Sequence, residues 1–328
     1  MSRIVTGERP TGPLHLGHYF GSLAERVRLQ KQGHELYLVI ADYQVITDRD
    51  RAEDLPEQVL GLVLDYLAAG LDPDHTVVFT HSAVPAIHEL AVAFLSLVSV
   101  AELGRNPTVK DEIAHSRQPS VNGLMFAYPV HQAADVLSLR GELVPVGADQ
   151  LPHLELMRTI ARRFAERYAP VFAMPQPVLS ETPRLPGLDG IKMSKSRRNA
   201  LALTATADEI AAGIRRARTD SIREMTYDPV ARPGVARLLQ LAALVTGTEP
   251  AEVAASVGDA GAAGLKALVT EAVDAFVDPM RRRRTQFTAS DAVEILARQP
   301  AGGCGGGGHA RCGAPGHGHE VRRPAARF

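Results

Sequence analysis

The chain has 328 residues, 45% of them hydrophobic and 22% charged, which is typical of a globular protein and excludes wholesale disorder or a fibrous repeat. Because 36 Lys and Arg balance 37 Asp and Glu, any nucleic-acid partner must bind a local basic surface. No segment has the roughly 20 consecutive apolar residues of a membrane span and no apolar signal core is visible, so we expect a cytoplasmic protein with no membrane partner.

Strands alternate with helices along the first part of the chain. Buried strands are predicted for RIVTGE (residues 3–8), ELYLVIADYQVIT (35–47), LDPDHTVVFTHS (71–82) and ELVPVGADQ (142–150). Amphipathic helices are predicted between the first three strands, over residues 19–33 and 56–70. This alternation predicts an α/β fold with a Rossmann-like, doubly wound parallel sheet.

The second part of the chain is predicted to be all-helical. A Pro- and Gly-rich loop at residues 183–199 marks the junction, and helical patterns follow over residues 206–219, 234–247 and 264–287. We therefore expect a catalytic domain with a helical insertion (1–198), a C-terminal helical domain (199–300) and a Gly-rich tail (301–328).

The tail has too few apolar residues to order itself, so it is predicted to be disordered. It carries five residues capable of binding a metal, but it lacks the paired C-x₂-C element of a zinc knuckle, and we predict no metal site: Cys304, His309, Cys312, His317 and His319. An altered reading frame is a second hypothesis for the tail. The underlying DNA would contradict it if no neighbouring frame continued an amphipathic helix.

The sequence HLGH, residues 15–18, lies between the first strand and the first helix. A glycine-bearing turn there lets a phosphate approach the backbone and the positive end of a helix. Imidazoles of His15 and His18 could stabilise charge that develops on a phosphate, and Gly17 would let an adenine lie against the backbone. Taken alone, the motif is equally compatible with two histidines that only cap a helix.

A second motif, KMSKS at residues 192–196, lies in the Gly-rich junction loop. Lysine is a point charge on a flexible stem, and a mobile loop that carries two lysines could close over a triphosphate. HLGH lies in the first strand-to-helix turn of the predicted parallel sheet, and KMSKS lies between that sheet and the predicted helical domain. The two motifs in this order predict an ATP cleft.

With this pair of motifs the chain resembles the class I aminoacyl-tRNA synthetases, from about residue 3 to about residue 298. TGERPTGPLHLGHYFGSL (6–23), YPVHQAADVL (128–137) and VPVGADQLPHLEL (144–156) resemble the tryptophanyl branch, and so do ARTDS (217–221) and PGVARLLQL (233–241). The resemblance implies that L-tryptophan is activated with ATP and transferred to tRNA(Trp). It also implies Mg²⁺ carried by ATP, no dedicated metal site, and a homodimer.

The resemblance also implies the roles of individual residues. Catalytic residues that stabilise charge on the phosphates would be His15, His18, Lys192, Lys195 and Lys110. ATP would be bound by Arg9, Thr11, Gly17, His18, Asp149, Met193, Ser194 and Lys195. Tryptophan would be bound by Gly7, Tyr128, Asp135, Gln150, Gln44, Val144 and Val146, with Asp135 accepting the indole N–H. Arginines that could contact tRNA phosphates are Arg215, Arg216 and Arg281 to Arg284.

Some positions depart from the family pattern. Arg9 stands where many relatives have Gln, and Gln44 stands where a pocket histidine often lies, which leaves the fine shape of the pocket open. Relatives continue into a further long helix where this chain has the Gly-rich tail. Lys110 could equally be a solvated lysine in a polar run.

Three other functions remain compatible with the residues. A tyrosyl-tRNA synthetase shares both motifs and an aspartate in the same helix. A small-molecule adenylyl- or cytidylyltransferase can carry H-x-G-H, but it would not need the helical domain. A non-catalytic paralogue that binds tRNA or tryptophan belongs to a different class, and amino-acid-dependent pyrophosphate exchange would distinguish it.

Overall fold

A five-stranded parallel sheet lies at the centre of the structure, a computed structural model that describes residues 1–47, 54–115, 120–179, 185–191, 193 and 199–298. The strands are β1 (Arg3–Glu8), β2 (Glu35–Ile40), β3 (Thr76–Thr80), β4 (Leu143–Val146) and β5 (Gln176–Leu179). Their order is β3-β2-β1-β4-β5, and every pair is parallel. From β1 the chain adds strands first on one side of the sheet and then, with β4, on the other. Ligands bind at this switch point in sheets of this kind, at the carboxyl ends of the strands. The predicted Rossmann-like fold is confirmed.

Three predicted strands are shorter than expected. β2 ends at Ile40, and Tyr43–Thr47 forms a 3₁₀ turn that buries Val45; β4 ends at Val146 and Ala148–Gln150 also forms a 3₁₀ turn. β3 covers only Thr76–Thr80 of the predicted 71–82. After β2, Val45 and Ile46 continue the apolar pattern, because a short apolar run cannot distinguish a strand from a buried helical turn. The excess residues of the other two predicted strands belong mainly to turns beside β3 and β4.

The strand β5 was not predicted. It is a four-residue edge strand that contains Pro177, and none of its residues is fully buried. An edge strand that contains a proline and has no apolar run does not show the hydrophobic pattern from which strands are predicted.

Helices surround the sheet. The first turn, α1 (Leu16–His18), continues as a π-helical turn, Tyr19–Leu23, into α2 (Ala24–Lys31). Within the described ranges none of the helices combines the length and apolar character that a bilayer span requires. The remaining helices are α3 (Leu55–Ala69), α4 (Pro85–Leu95), α5 (Val100–Arg105), α6 (Pro107–His115), α7 (Gly123–Ser138), α8 (Leu151–Arg167), α9 (Ala207–Arg216), α10 (Pro233–Thr246), α11 (Pro250–Val257), α12 (Gly261–Arg284) and α13 (Ala289–Ala297).

The two faces of the sheet build two hydrophobic cores. Val5 of β1 packs in a core with α4, α7 and α8, whereas its neighbour Ile4 lies in a core with α3 and the C-terminal helices, as the two-residue period of a strand requires. The second core runs without interruption from the sheet to Val273 and Val277 of α12. The predicted boundary after residue 198 stays a prediction, and the predicted tail lies outside the described residues.

A polar contact network joins α12 to the sheet. Buried Asp65 of α3 accepts a hydrogen bond from the Leu14 amide at 2.8 Å and lies 3.3 Å from the Arg284 guanidinium. Arg283 donates to the Ala68 carbonyl, and Arg281 donates to the Ala205 carbonyl and pairs with Asp274. All three arginines therefore make contacts within the chain, and their predicted contact with tRNA stays a prediction.

Candidate active site

A cleft of about 1030 Å³ opens at the carboxyl ends of β1 and β4. It brings together most of the predicted site residues that the structure describes. Those that line it are Gly7, Arg9, His15, Gly17, His18, Gln44, Tyr128, Asp135, Val144, Val146, Asp149, Gln150 and Met193. Thr11 and Lys110 are not among the lining residues, and Lys192, Ser194 and Lys195 lie outside the described residues.

One end of the cleft, which we call the phosphate end, is formed by the HLGH motif. His15 is the N-cap residue of α1, and its backbone N–H donates to Nδ1 of His18 at 3.2 Å. The two rings lie 3.7 Å apart between centroids. Because His18 Nδ1 accepts this hydrogen bond, a neutral His18 carries its proton on Nε2. The motif therefore places an imidazole N–H donor beside the positive end of a helix.

Gly17 lies where even a methyl side chain would be tightly confined. A Cβ at this position would lie 3.0 Å from the His15 ring and 3.1 Å from Sδ of Met193. Met193 is buried and is the one residue of KMSKS that the structure describes. The two motifs, distant in sequence, therefore meet across Gly17.

Backbone hydrogen bonds hold the two motif regions together. The Leu16 amide donates to the Leu201 carbonyl at 3.0 Å, and the Leu203 amide donates to the Leu14 carbonyl at 2.9 Å. This short antiparallel contact pairs His15 with Ala202. It attaches the chain that follows KMSKS directly to the HLGH turn.

The other end of the cleft, which we call the indole end, is built on α7. The side chain of Asn122 caps this helix by accepting from the Met125 amide at 2.8 Å. Tyr128, Gln132 and Asp135 follow at helical spacing, so they share the face that lines the cleft. Asp135 is only 6% exposed.

A histidine at the end of β3 faces Asp135. Nε2 of His81, which is fully buried, lies 2.8 Å from Oδ1 of Asp135. Burial alone would lower the pKa of His81, but the Asp135 carboxylate outweighs that effect and leaves the pKa raised. Sequence patterns missed His81 because it looks like one polar residue after a strand.

Tyr128 belongs to a hydrogen-bonded chain that sequence patterns also missed. The Asn106 amide nitrogen lies 3.3 Å from Nδ1 of His153, and Nε2 of His153 lies 2.9 Å from the Tyr128 hydroxyl. Burial lowers the pKa of His153 to about 4, with partial compensation from Asp149, so the ring is neutral near pH 7. With Nδ1 accepting, His153 donates from Nε2 to Tyr128.

The hydroxyl of Tyr128 stays protonated. Burial first, and then the Glu112 carboxylate, raise the pKa of Tyr128 well above its ordinary value. Glu112 lies on α6 and lines the cleft, whereas Lys110 of the same helix is exposed. Glu112 therefore places a carboxylate beside Tyr128. The predicted role of Lys110 at the ATP phosphates stays a prediction.

A buried ion pair supports the floor of the cleft between β1 and α2. Nη1 of Arg26 lies 3.3 Å from Oε2 of Glu8, and the Tyr66 hydroxyl donates to the same oxygen at 3.0 Å. Burial alone would raise the pKa of Glu8, but Arg26, His18 and Tyr66 outweigh it and leave the pKa lowered. Glu8 is therefore a carboxylate that faces the HLGH motif.

Comparison with known proteins identifies the family. The model of the class I tRNA synthetases for W and Y matches residues 1–278. This chain belongs to that family of class I tRNA synthetases, as the sequence resemblance predicted.

Relatives within the family extend over most of the chain. A tryptophan–tRNA ligase of Treponema pallidum is 40% identical over 93% of this chain and 91% of its own length, and one of Thermotoga maritima is 44% identical over 69% and 70%. The crystal structure of tryptophanyl-tRNA synthetase from Campylobacter jejuni, complexed with ADP and tryptophan, has a TM-score of 0.78 at 28% identity and covers 90% of this chain and 92% of its own.

Proposed function

We propose that this chain activates L-tryptophan with ATP to tryptophanyl-adenylate and transfers the amino acid to tRNA(Trp). The observation that carries this proposal is the single cleft that joins the HLGH and Met193 region to a pocket with a buried carboxylate, Asp135. The names of its relatives, tryptophan–tRNA ligases of 37% to 44% identity, support the same substrate.

The first step is displacement at the α-phosphate of ATP. A tryptophan carboxylate oxygen forms a bond to the α-phosphorus, and the bond from that phosphorus to the oxygen bridging to the β-phosphate breaks, which releases pyrophosphate. No protein nucleophile is needed, so catalysis depends on alignment and on stabilising charge. His18 would donate from Nε2 to a phosphate oxygen, with His15, Lys192 and Lys195 in the same role, and Mg²⁺ would enter with ATP.

Tryptophan would lie at the indole end. Asp135 would accept the indole N–H between the apolar walls of Val144 and Val146. A buried carboxylate left without a partner is costly, so the pocket would discriminate against side chains that lack a matching donor. The substrate ammonium would lie near Tyr128 and Gln150, where the Glu112 carboxylate supplies a negative charge.

ATP would occupy the phosphate end and the turn after β4. Gly17 and Met193, which line the cleft, would border the adenine, and Asp149, exposed on the turn after β4, would bind the ribose. Arg9, which lines the cleft and approaches Thr47 at 3.5 Å, would contact the nucleotide.

In the second step a hydroxyl of the terminal adenosine of tRNA attacks the tryptophanyl carbonyl, an ester forms and AMP leaves. Arg215 and Arg216 are exposed on α9 and remain candidates for phosphate contacts, as does Arg282, whose side chain is 79% exposed. A homodimer, in which one tRNA reaches across both subunits, is part of this proposal.

The proposal is tested by ATP–pyrophosphate exchange with each amino acid, followed by tRNA charging. We expect exchange with tryptophan and not with tyrosine. Exchange with tyrosine alone would establish the tyrosyl alternative, and tryptophan binding without exchange would establish a non-catalytic paralogue. If the chain catalyses exchange but does not charge tRNA, residues 301–328 are replaced by a helical C-terminus. Recovery of charging in that variant would assign the defect to the tail.

The tRNA contacts are tested separately by salt dependence. We expect Arg215→Ala and Arg216→Ala each to weaken tRNA binding and to reduce the slope of log K against log salt by about 1. Arg284→Ala is the matched control, because its guanidinium is engaged by Asp65. If the salt slope changed for Arg284→Ala and not for Arg215→Ala or Arg216→Ala, the proposed tRNA contacts of α9 would be contradicted.

A further inference from the structure

Behind the indole end, three buried side chains converge from two elements. His81 follows β3, and His131 and Asp135 lie one helical turn apart on α7; they are 0%, 8% and 6% exposed. The nitrogen or oxygen atom that each offers lies within 4.8 Å of the other two. These are two imidazoles and a carboxylate, a donor set that divalent transition metals prefer.

Several polar atoms of this cluster have no hydrogen-bond partner among the described residues. They are both ring nitrogens of His81, Nδ1 of His131 and Oδ1 of Asp135. Nε2 of His81 and Oδ1 of Asp135 lie 2.8 Å apart and form an ion pair when the ring is protonated, but the contact is not aligned as a hydrogen bond. Buried polar atoms without partners are costly, so an arrangement that leaves several of them adjacent points to a missing group.

A third histidine, His88, determines which nitrogen of His131 is available. Nε2 of His88 lies 2.9 Å from the His81 carbonyl oxygen, which can only accept, so His88 donates from Nε2. In the tautomer of His88 with its proton on Nε2 alone, Nδ1 accepts from Nε2 of His131 at 2.8 Å. The lone pair of His131 is then on Nδ1, the buried atom that has no partner.

The contact between His88 and His131 also fits a metal ligand. A histidine whose second nitrogen is held by an outer partner is the usual arrangement around protein-bound metals.

We propose that His81, His131 and Asp135 form a binding site for a divalent transition metal of the zinc class, with His88 as the outer partner that orients His131. Zinc bonds of about 2.0–2.2 Å to nitrogen and oxygen require small rotations that draw the three donors together. Three protein ligands leave a fourth position for water. Coordination through Oδ1 of Asp135 leaves the second carboxylate oxygen for the indole N–H, so the metal would orient the residue proposed to recognise the substrate.

The test is zinc binding by the full chain, and it must separate this site from the tail. The five metal-capable tail residues are first changed together in a background variant: Cys304→Ser, Cys312→Ser, His309→Gln, His317→Gln and His319→Gln. After removal of metal with a chelator and dialysis against Zn²⁺, we expect one zinc per chain in this background. Substituted Co²⁺ should show the visible absorption of a site of low coordination number.

Variants in that background assign the ligands. We expect His131→Ala to abolish zinc retention and His88→Ala to weaken it about 10- to 100-fold. His75→Ala is the matched control, since this side chain is 73% exposed and lies beside Asp72, and it should retain one zinc. If His131→Ala fails to fold by circular dichroism, His131→Asn replaces it.

The same measurements can overturn the proposal. A background variant that retains no zinc, or a His131 variant that folds and still retains one, would show that the cluster is only a network of histidines around Asp135. These results do not depend on aminoacylation, so loss of activity in the proposed function would be a separate finding.

Discussion

The two ends of the cleft are built in opposite ways. At the phosphate end, His15, Gly17 and His18 come from one helical turn, and the hydrogen bond between the two histidines spans only three residues. At the indole end, Tyr128 and Asp135 depend on His153 and His81, which come from distant elements. A local motif can therefore determine where a phosphate binds, whereas recognition of a side chain requires partners from across the fold.

Removing His18 should have the largest effect, and it should act on the phosphate end alone. Loss of one donor that stabilises developing charge typically lowers kcat about 10²- to 10³-fold. We expect His18→Ala to lower kcat of pyrophosphate exchange by that amount with little change in KM for tryptophan. His18→Asn, which retains a donor, should recover part of the loss. A variant with normal kcat and a raised tryptophan KM would contradict the division between the two ends.

Asp135→Asn should have the next largest effect, at the opposite end. A hydrogen bond to a charged group contributes about 1.5–3 kcal/mol, which corresponds to a roughly 10- to 100-fold loss of kcat/KM for tryptophan. We expect KM for ATP to remain nearly constant, as measured by exchange at saturating tryptophan. An equal rise in the KM for ATP would show that the two ends are coupled.

A methyl group on Gly17 should give a smaller effect on ATP. The added Cβ would press on the His15 ring and on Met193, and overpacking of this kind costs about 1–3 kcal/mol. We expect Gly17→Ala to raise KM for ATP by about tenfold. Gly21→Ala is the matched control, because Gly21 lines the same cleft with nothing within 4 Å of its Cβ position. Equal effects of the two substitutions would rule out this steric account.

The last prediction concerns the free energy of unfolding, through the network behind Tyr128, and not a rate or a KM. Because burial lowers the pKa of His153 to about 4, below its unfolded value near 6.5, this histidine favours the fold above pH 6.5 and that contribution disappears as the pH falls towards 4. Between pH 7 and pH 4.5 the free energy of unfolding of the wild type should fall by roughly 2 kcal/mol more than that of His153→Gln.

Urea unfolding at the two pH values measures this difference, and other buried titrating groups cancel because both chains share them. His75→Gln, at an exposed histidine, should behave like the wild type. If His153→Gln lost as much stability in acid as the wild type, His153 would not be neutral in the folded protein.

Sequence patterns were most informative where the chemistry is local. The HLGH turn was found from its glycine and its position between a strand and a helix, and Asp135 was predicted from the family resemblance of YPVHQAADVL on α7. His81, Glu112 and His153 were missed because each stands alone in its own segment. The contacts of Arg283 and Arg284 were missed for the related reason that their partners Ala68 and Asp65 lie on α3, far away in sequence.

The sequence by itself determined the alternation of strands and helices, the Rossmann-like order, the family, and the phosphate end of the cleft, because hydrophobic period and turn chemistry act over a few residues. Only the tertiary structure decided that Met193 lies against Gly17, that His81 faces Asp135, and that His88 leaves one nitrogen of His131 without a partner. Those contacts form only when segments distant in sequence pack together, so they cannot be predicted from the sequence of either segment alone.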